Sequence, residues 1–276
     1  MNGKRTRYTR WFLILALLVF VIGVSWFSEH QKQKAQQTPG FETITRTVAY
    51  AGLPQNVSHV CRDIKTLENT GFTVGYCETL KNPVWVVYRL GLATTQGAKR
   101  PQRFVVDERT EARVSHDDYT GTGYDRGHMA PNHAIGTRYG ENAQLQTFLM
   151  SNICPQKPNL NRQVWRLLEQ QIADDYAERL ETVWMVTGPI FGSQIEWLQS
   201  GVAIPEAFFK VVVDEQGNTI RTRAYIVPQE VEGSEPVDHF LTTVDEVERR
   251  TGLDLLWELN DAVESQVEKT KANQPW

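Results

Sequence analysis

Four consecutive residues, Asp125, Arg126, Gly127 and His128, set a carboxylate, a permanent cation and an imidazole side by side. Glycines at 121, 123 and 127 imply tight backbone turns, which present side chains instead of packing them. A lone histidine is more often a satisfied structural residue, but the charged neighbours of this one turn the reading toward chemistry. An imidazole with an ordinary pKa of about 6.5 can take a proton from water at neutral pH. A guanidinium beside it suits the charge that develops on a pentacoordinate phosphorus. Together they fit hydrolysis of a phosphodiester, which needs an activated nucleophile, charge neutralisation and help for the leaving oxygen.

A second cluster follows: Ser151-Asn152-Ile-Cys154-Pro155-Gln156, then Asn161, Trp165 and Glu169. Asn161 stands at the start of a helical pattern, so it reads either as an N-cap or as a ligand. Glu169, eight residues on, lies about 12 Å along a regular helix and roughly 80° round it. On such a helix the two cannot both ligate one ion, and one would act through water. A Mg²⁺ with few protein ligands keeps several waters and can give one to a departing oxygen as acid. A rival zinc site from His128, His133 and Cys154 lacks a fourth ligand at any familiar spacing. Nothing in the set reads bases, so little sequence preference is expected.

These stretches resemble the signatures of the DNA/RNA non-specific endonucleases of the ββα-metal type, the endonuclease G group. The Asp-Arg-Gly-His signature stands as residues 125–128, continued by Met129-Ala130-Pro131. The second stands as Asn152, Pro155-Gln156, Asn161 and Trp165-Arg-Leu-Leu168-Glu169. The likeness runs from about Pro83 to Gly252, including Lys81-Asn-Pro-Val-Trp85 just ahead of it, Thr187-Gly188-Pro189 and Glu248-Arg-Arg-Thr-Gly252. It implies that His128 activates water, that Arg126 stabilises the phosphorane, and that Asn161 is the one direct protein ligand of a Mg²⁺, with Mn²⁺ able to substitute. Glu169 would hold a metal-bound water, Asn152 would support the site by hydrogen bonding, and Asp125 would support the motif. A further arginine before the signature contacts phosphate in this family; Arg100 and Arg103 are the candidates. Expected substrates are DNA and RNA, single- and double-stranded; the oligomeric state is left open, a homodimer being compatible. Two positions depart from the pattern. His133 reads as a surface residue or a perturbation of the site, and Cys154 as a buried packing thiol or a redox switch. A rival function is a catalytically weak, membrane-tethered nucleic-acid-binding protein, which would need neither the base nor the metal ligand.

The elements that must position these residues are a sheet and one long helix. Strand-like runs rich in β-branched and aromatic residues occur at Val84–Leu90, Thr147–Ser151, Val183–Thr187, Phe208–Val213 and Arg221–Val227. Several lack strict alternation, which predicts a sheet buried on both faces. Apolar residues at 165, 168, 172, 176 and 180 predict a helix over 161–180. Shorter helices are expected over 244–250, ended by Gly252, and over 255–267. The interleaving points to an α+β, or mixed α/β, domain over 48–270 with a largely antiparallel sheet flanked by helices. The resemblance makes that the ββα-metal nuclease fold.

The 276 residues carry a formal charge of −4, an unhelpful sum for a nucleic-acid binder. The distribution differs: residues 1–98 carry +6, 99–166 carry +3, and 167–276 carry −13. A basic middle segment can therefore meet phosphate while acid gathers elsewhere. Lys4, Arg5, Arg7 and Arg10, within a basic flank 1–10, precede an uncharged run of 17 residues over 11–27. That run is about 25 Å long as a helix, enough for a thin bilayer. It reads as a retained signal anchor; a cleaved signal peptide competes, but no small-residue cleavage site closes the run. The basic flank would stay in the cytoplasm and the polar tether 28–47 would carry the domain on the translocated side, in a bacterial periplasm or a mitochondrial intermembrane space. Cys61 and Cys77 form a candidate disulfide in an oxidising compartment, with three reduced, buried thiols as the alternative.

Overall fold

The computed structural model of the protein describes residues 45–272. The anchor segment and nearly all of the tether lie outside the described residues. Among the described residues no helix is long and apolar enough to cross a membrane. Thr45 and Arg46, at the end of the stretch read as tether, are already bound into the domain. The Thr45 hydroxyl donates to Glu258 at 2.9 Å, and Arg46 pairs with Glu215 at 2.6 Å.

Nine strands matter to the site: β1 (Ile64–Asn69), β2 (Phe72–Cys77), β3 (Asn82–Gly91), β4 (Asp125–His128), β5 (Ile153–Gln156), β6 (Thr182–Ile190), β7 (Ala207–Gln216), β8 (Thr219–Pro228) and β9 (Leu241–Thr242). Seven of them build one antiparallel sheet in the order β9-β8-β7-β6-β3-β2-β1, and β4 and β5 form a separate ribbon. The fold is thus mixed, with a central antiparallel sheet.

Both faces of the sheet are covered, which is why its strands do not alternate apolar with polar. Val86, Tyr88, Met185, Phe208 and Val212 pack on one side with Leu160, Trp165, Leu168 and Ile172. Val87, Trp184, Val186, Phe209 and Val211 pack on the other with Val244, Val247, Leu255 and Val267. The first layer is made by α1 (Asn132–Tyr139), α2 (Glu141–Gln146) and the long helix α3, residues 160–180. The second is made by α4 (Val244–Thr251) and α5 (Asp261–Glu268). Cys61 and Cys77 are joined, with Cα atoms 6.1 Å apart, so the disulfide closes the β1–β2 hairpin at the pair Ile64 and Cys77. Cys154 is free and buried.

Three expectations need correction. The run at 147–151 is no strand: it ends α2 and enters a 3-10 turn at Met150–Asn152, with β5 beginning only at Ile153. Its apolar residues Phe148 and Met150 are buried, and the run makes only an isolated parallel bridge, between Leu149 and Val105. The last helix starts at Asp261, capped by Asn260, because Leu253–Asp254 pairs with Gln55–Asn56 and Leu255, Leu256 and Leu259 fill the second core from a loop. Helix α3 is not regular: Leu160–Trp165 and Ile172–Tyr176 are π-helical, flanking the α turns of Arg166–Gln171.

Candidate active site

The β4–β5 ribbon pairs Asp125 with Gln156 and His128 with Ile153. Its closeness explains Gly127, since a Cβ there would lie 2.0 Å from Oε1 of the fully buried Gln156. The loop before it turns at Gly121 and Gly123, whose φ angles of +76° and +83° are unfavourable for residues with a Cβ. That loop brings residues 116–120 beneath Arg126. Arg126 Nε donates to the His116 carbonyl at 2.9 Å and Nη2 to Thr120 Oγ1 at 2.8 Å, which fixes the guanidinium plane.

His128 ends β4 with its ring edge-on to Phe148 at 5.0 Å and tilted against Phe104 at 5.2 Å. It is 8% exposed, and its Nε2 has no hydrogen-bond partner among the described residues. Burial, and then the charge of Arg100, lower its pKa to about 3, so the imidazole is neutral at physiological pH. Asn152 is fully buried. Its Oδ1 accepts from Ala130 N at 2.9 Å, and its Nδ2 donates to the carbonyls of Ala130 and Thr147, each at 3.0 Å. It clamps the chain just after His128 and does not line the cleft.

The first π turn of α3 carries Asn161. Its Nδ2 donates to Asp125 Oδ2 at 2.9 Å, while Arg162 grips both oxygens of the same carboxylate at 2.8 and 2.6 Å. Burial pushes the Asp125 carboxyl up, but the hydrogen bonds from Arg162 and Asn161 outweigh it and hold the group below the usual range. With Nδ2 committed to Asp125, the Asn161 oxygen is left as a hard donor without a protein partner among the described residues. That is the atom a divalent cation would take. The π turn also alters the angular argument. It fits an extra residue into each turn, so the step to Glu169 rotates less than on a regular helix, and both side chains line one cleft.

Glu169 is 18% exposed at its side chain and faces buried Lys210 of β7, at 3.4 Å. Burial raises its pKa, and Lys210 pulls the other way. Lys210 Nζ also donates to Tyr88 Oη at 3.0 Å and lies 4.6 Å from the centre of the Trp165 ring. Burial lowers its pKa and Glu169 opposes that. Lys210 Nζ thus sits directly behind the Glu169 carboxyl, 3.4 Å from it.

The cleft itself, of about 450 Å³, is lined by Arg100, Arg126, His128, Asn161, Arg162 and Glu169 among others. Arg100 is exposed, with its guanidinium over the Phe148 ring, 5.1 Å from its centre. Arg103 does not line the cleft and pairs with Asp117 at 3.3 Å in an exposed position. His133 is exposed at the rim, and Cys154 is buried with its thiol pushed up by burial, fitting a packing role. Among the described residues, His128, His133 and Cys154 form no three-ligand group. Arg162, Arg166 and Lys210 were not singled out from sequence, whereas Asn132 stands with His133 directly after the signature as a departure from its pattern. Arg162 and Arg166 carry a legible signal, two cations one helical turn apart beside Asn161. Lys210 carries none, because only tertiary packing brings it to the site.

A model of the DNA/RNA non-specific endonuclease family matches residues 51–262. The chain belongs to that family. It is 30% identical to mitochondrial endonuclease G of Bos taurus over 263 residues, covering 83% of this chain and 86% of the bovine one. It is 31% identical to a nuclease of Nostoc sp., over 73% of this chain and 77% of that one. Among solved structures, a chain of the EndoG/EndoGI complex superposes with a TM-score of 0.64 at 26% identity, covering 71% of this chain and 86% of the other. This family member is therefore an endonuclease that cleaves DNA and RNA without sugar specificity, as a metal-dependent hydrolase. A weak binding protein that merely keeps the fold is not favoured.

Proposed function

We propose that the chain hydrolyses phosphodiester bonds in single- and double-stranded DNA and RNA with little base preference, using His128 as general base and Asn161 as the sole direct protein ligand of Mg²⁺ or Mn²⁺. The observation that carries this reading is the Asp125 bridge, which leaves the Asn161 oxygen free in the cleft that also holds His128 and Arg126. A bound divalent ion would neutralise phosphate charge and supply an acidic water to the leaving 3′ oxygen. Neutral His128 accepts the proton of the attacking water. Arg126, locked on the His116 and Thr120 oxygens, meets the developing charge, and Arg100 orients the phosphate. Glu169, on the same cleft, would hold a water of that ion by hydrogen bonding. No cleft residue is arranged to read base edges, which supports the low preference.

The 11–27 segment anchors the chain with the domain on the translocated side, in a periplasm or a mitochondrial intermembrane space. The Cys61–Cys77 disulfide supports an oxidising compartment, and the mitochondrial relatives favour the second. The decisive experiment is plasmid and RNA cleavage by a chain beginning near Thr43, parent and Asn161→Ala, with and without EDTA. Cleavage should require Mg²⁺ or Mn²⁺ and fall at least 100-fold in Asn161→Ala. Full activity in EDTA, or parent-like rates for Asn161→Ala at low Mg²⁺, would sink the metal assignment.

A further inference from the structure

Arg100 lies in a stretch, residues 92–104, that holds no helix or strand. Its exposed guanidinium rests over Phe148, the ring that also meets His128 edge-on. A long side chain on a loop keeps one place beside a general base only if the loop is held close to it. At one end of the stretch the amides of Thr94 and Thr95 both donate to the Thr137 carbonyl at 3.0 Å. At the other, Phe104 N donates to His116 Nδ1 at 3.3 Å and Val105 N to the Phe148 carbonyl at 2.9 Å. Between these ends stands Gln144 of α2. Its Oε1 accepts from Ala98 N at 2.8 Å and its Nε2 donates to the Ala98 carbonyl at 2.9 Å. One side chain thus grips both backbone groups of a residue two places before Arg100.

The surroundings are built around that amide. Gln144 is 3% exposed and does not line the cleft. A Cβ on Gly136, inside α1, would lie 2.5 Å from Gln144 Oε1, and a Cβ on Gly97, where φ is +74°, would lie 3.5 Å from the same oxygen. Glycine in a helix interior is unfavourable relative to alanine, so Gly136 has a packing reason to be there. The same short helix leads into Thr147 and Phe148, whose carbonyl and ring serve the His128 side: Asn152 Nδ2 donates to Thr147, and Phe148 packs on His128. We infer that Gln144 is the positioning residue for Arg100, its clamp on Ala98 setting where the guanidinium stands over Phe148 and so how it meets a substrate phosphate beside His128. The inference rests on the reading of Arg100 as a phosphate contact.

Steady-state cleavage of a short duplex by full-length protein at saturating Mg²⁺ tests it, in a cycle of Arg100→Ala, Gln144→Leu and the two combined. Arg100→Ala should raise KM about tenfold, as expected for one lost charge-assisted hydrogen bond to substrate. Gln144→Leu should raise KM by most of that factor alone and add almost nothing in the Arg100→Ala background. A fraction of unfolded protein would lower kcat and leave KM where it was, so a merely structural role does not give this pattern. Gly136→Ala, which crowds the same amide, should behave as Gln144→Leu does. An equal KM rise from Gln144→Leu in both backgrounds overturns the inference, as does a parental KM in Gln144→Leu while Arg100→Ala shows its rise. A parental KM in Arg100→Ala overturns the phosphate reading and the inference with it. Should Gln144→Leu fail to fold, the cycle with Gly136→Ala decides by the same outcomes.

Discussion

His128 is kept neutral by its surroundings, and that has two measurable effects. His128→Ala should lower turnover by about 10²–10⁴-fold with the circular dichroism spectrum unchanged; parent-like cleavage by the folded variant would remove it as the base. Because burial and Arg100 hold its pKa near 3, kcat/KM should show no acid limb at pH 6–7 from this group. The sign for stability follows from linkage. Between pH of about 6.5 and 3 the unfolded chain takes up a proton that the native imidazole refuses, so stability falls as pH drops through that window. At pH 5 this amounts to about 2 kcal/mol, a loss that His128→Ala should escape when both proteins are melted at pH 7.5 and 5. An equal acid-induced loss in both would refute the buried neutral state. At this scale sequence carried far: Asp125, Arg126, His128, Asn161 and Glu169 are few, adjacent in two stretches, and of types that chemistry restricts. Lys210 was illegible, because a lysine in a run of Phe208-Phe209 and Val211-Val212-Val213 announces no partner. Its role depends on Glu169, 41 residues away.

Between residues and molecule stand the β4–β5 ribbon, the β1–β2 hairpin and α3. Gly127→Ala would drive a methyl into the Gln156 side chain, with an expected loss of about 1–3 kcal/mol and a fall in kcat as His128 is displaced. The double variant Gly127→Ala/Gln156→Ala should recover much of both, and additive losses in a double-mutant cycle would contradict the contact. Reducing the Cys61–Cys77 bridge, or replacing both residues by serine, should lower stability by about 3 kcal/mol from loop closure over 16 residues. Its place in the core away from the cleft predicts little change in kcat at 25 °C; a large kcat loss would mean the hairpin supports the site directly. Helix α3 and the strands β3, β6, β7 and β8 were legible from periodicity and β-branched content. The π turns were not, because each is only five or six residues long, too short to displace the three- and four-residue apolar steps that run through the whole helix. The β1–β2 hairpin was missed because β1, IKTLEN, is an exposed edge with little apolar content. Helix α1 was missed because its strongest local signals, Pro131 and Asn132, also end the signature.

For the whole molecule, the net charge of −4 conceals a sorted surface. Arg100, Arg126, Arg162 and Arg166 all come from the basic middle segment and all line the cleft. Binding of a duplex by His128→Ala protein should weaken with salt, and Arg166→Ala should reduce the slope of log K against log salt by about 0.9. Fluorescence anisotropy between 50 and 200 mM salt, roughly the range over which phosphate contacts are felt, measures it; an unchanged slope would place Arg166 off the nucleic-acid path. The two-sided core has a different consequence, for the uniqueness of strand alignment. A sheet with one wet face resists slipping by a single residue, because every apolar side chain would be turned into water. Here a slip would only exchange one dry layer for the other, so hydrophobicity discriminates weakly. The buried charge supplies the missing discrimination. Sliding β7 by one residue would carry the Lys210 ammonium through to the α4–α5 side, away from Glu169 and Tyr88, and leave it unpaired in apolar packing. On this account Lys210 locks the alignment of the sheet as well as backing Glu169.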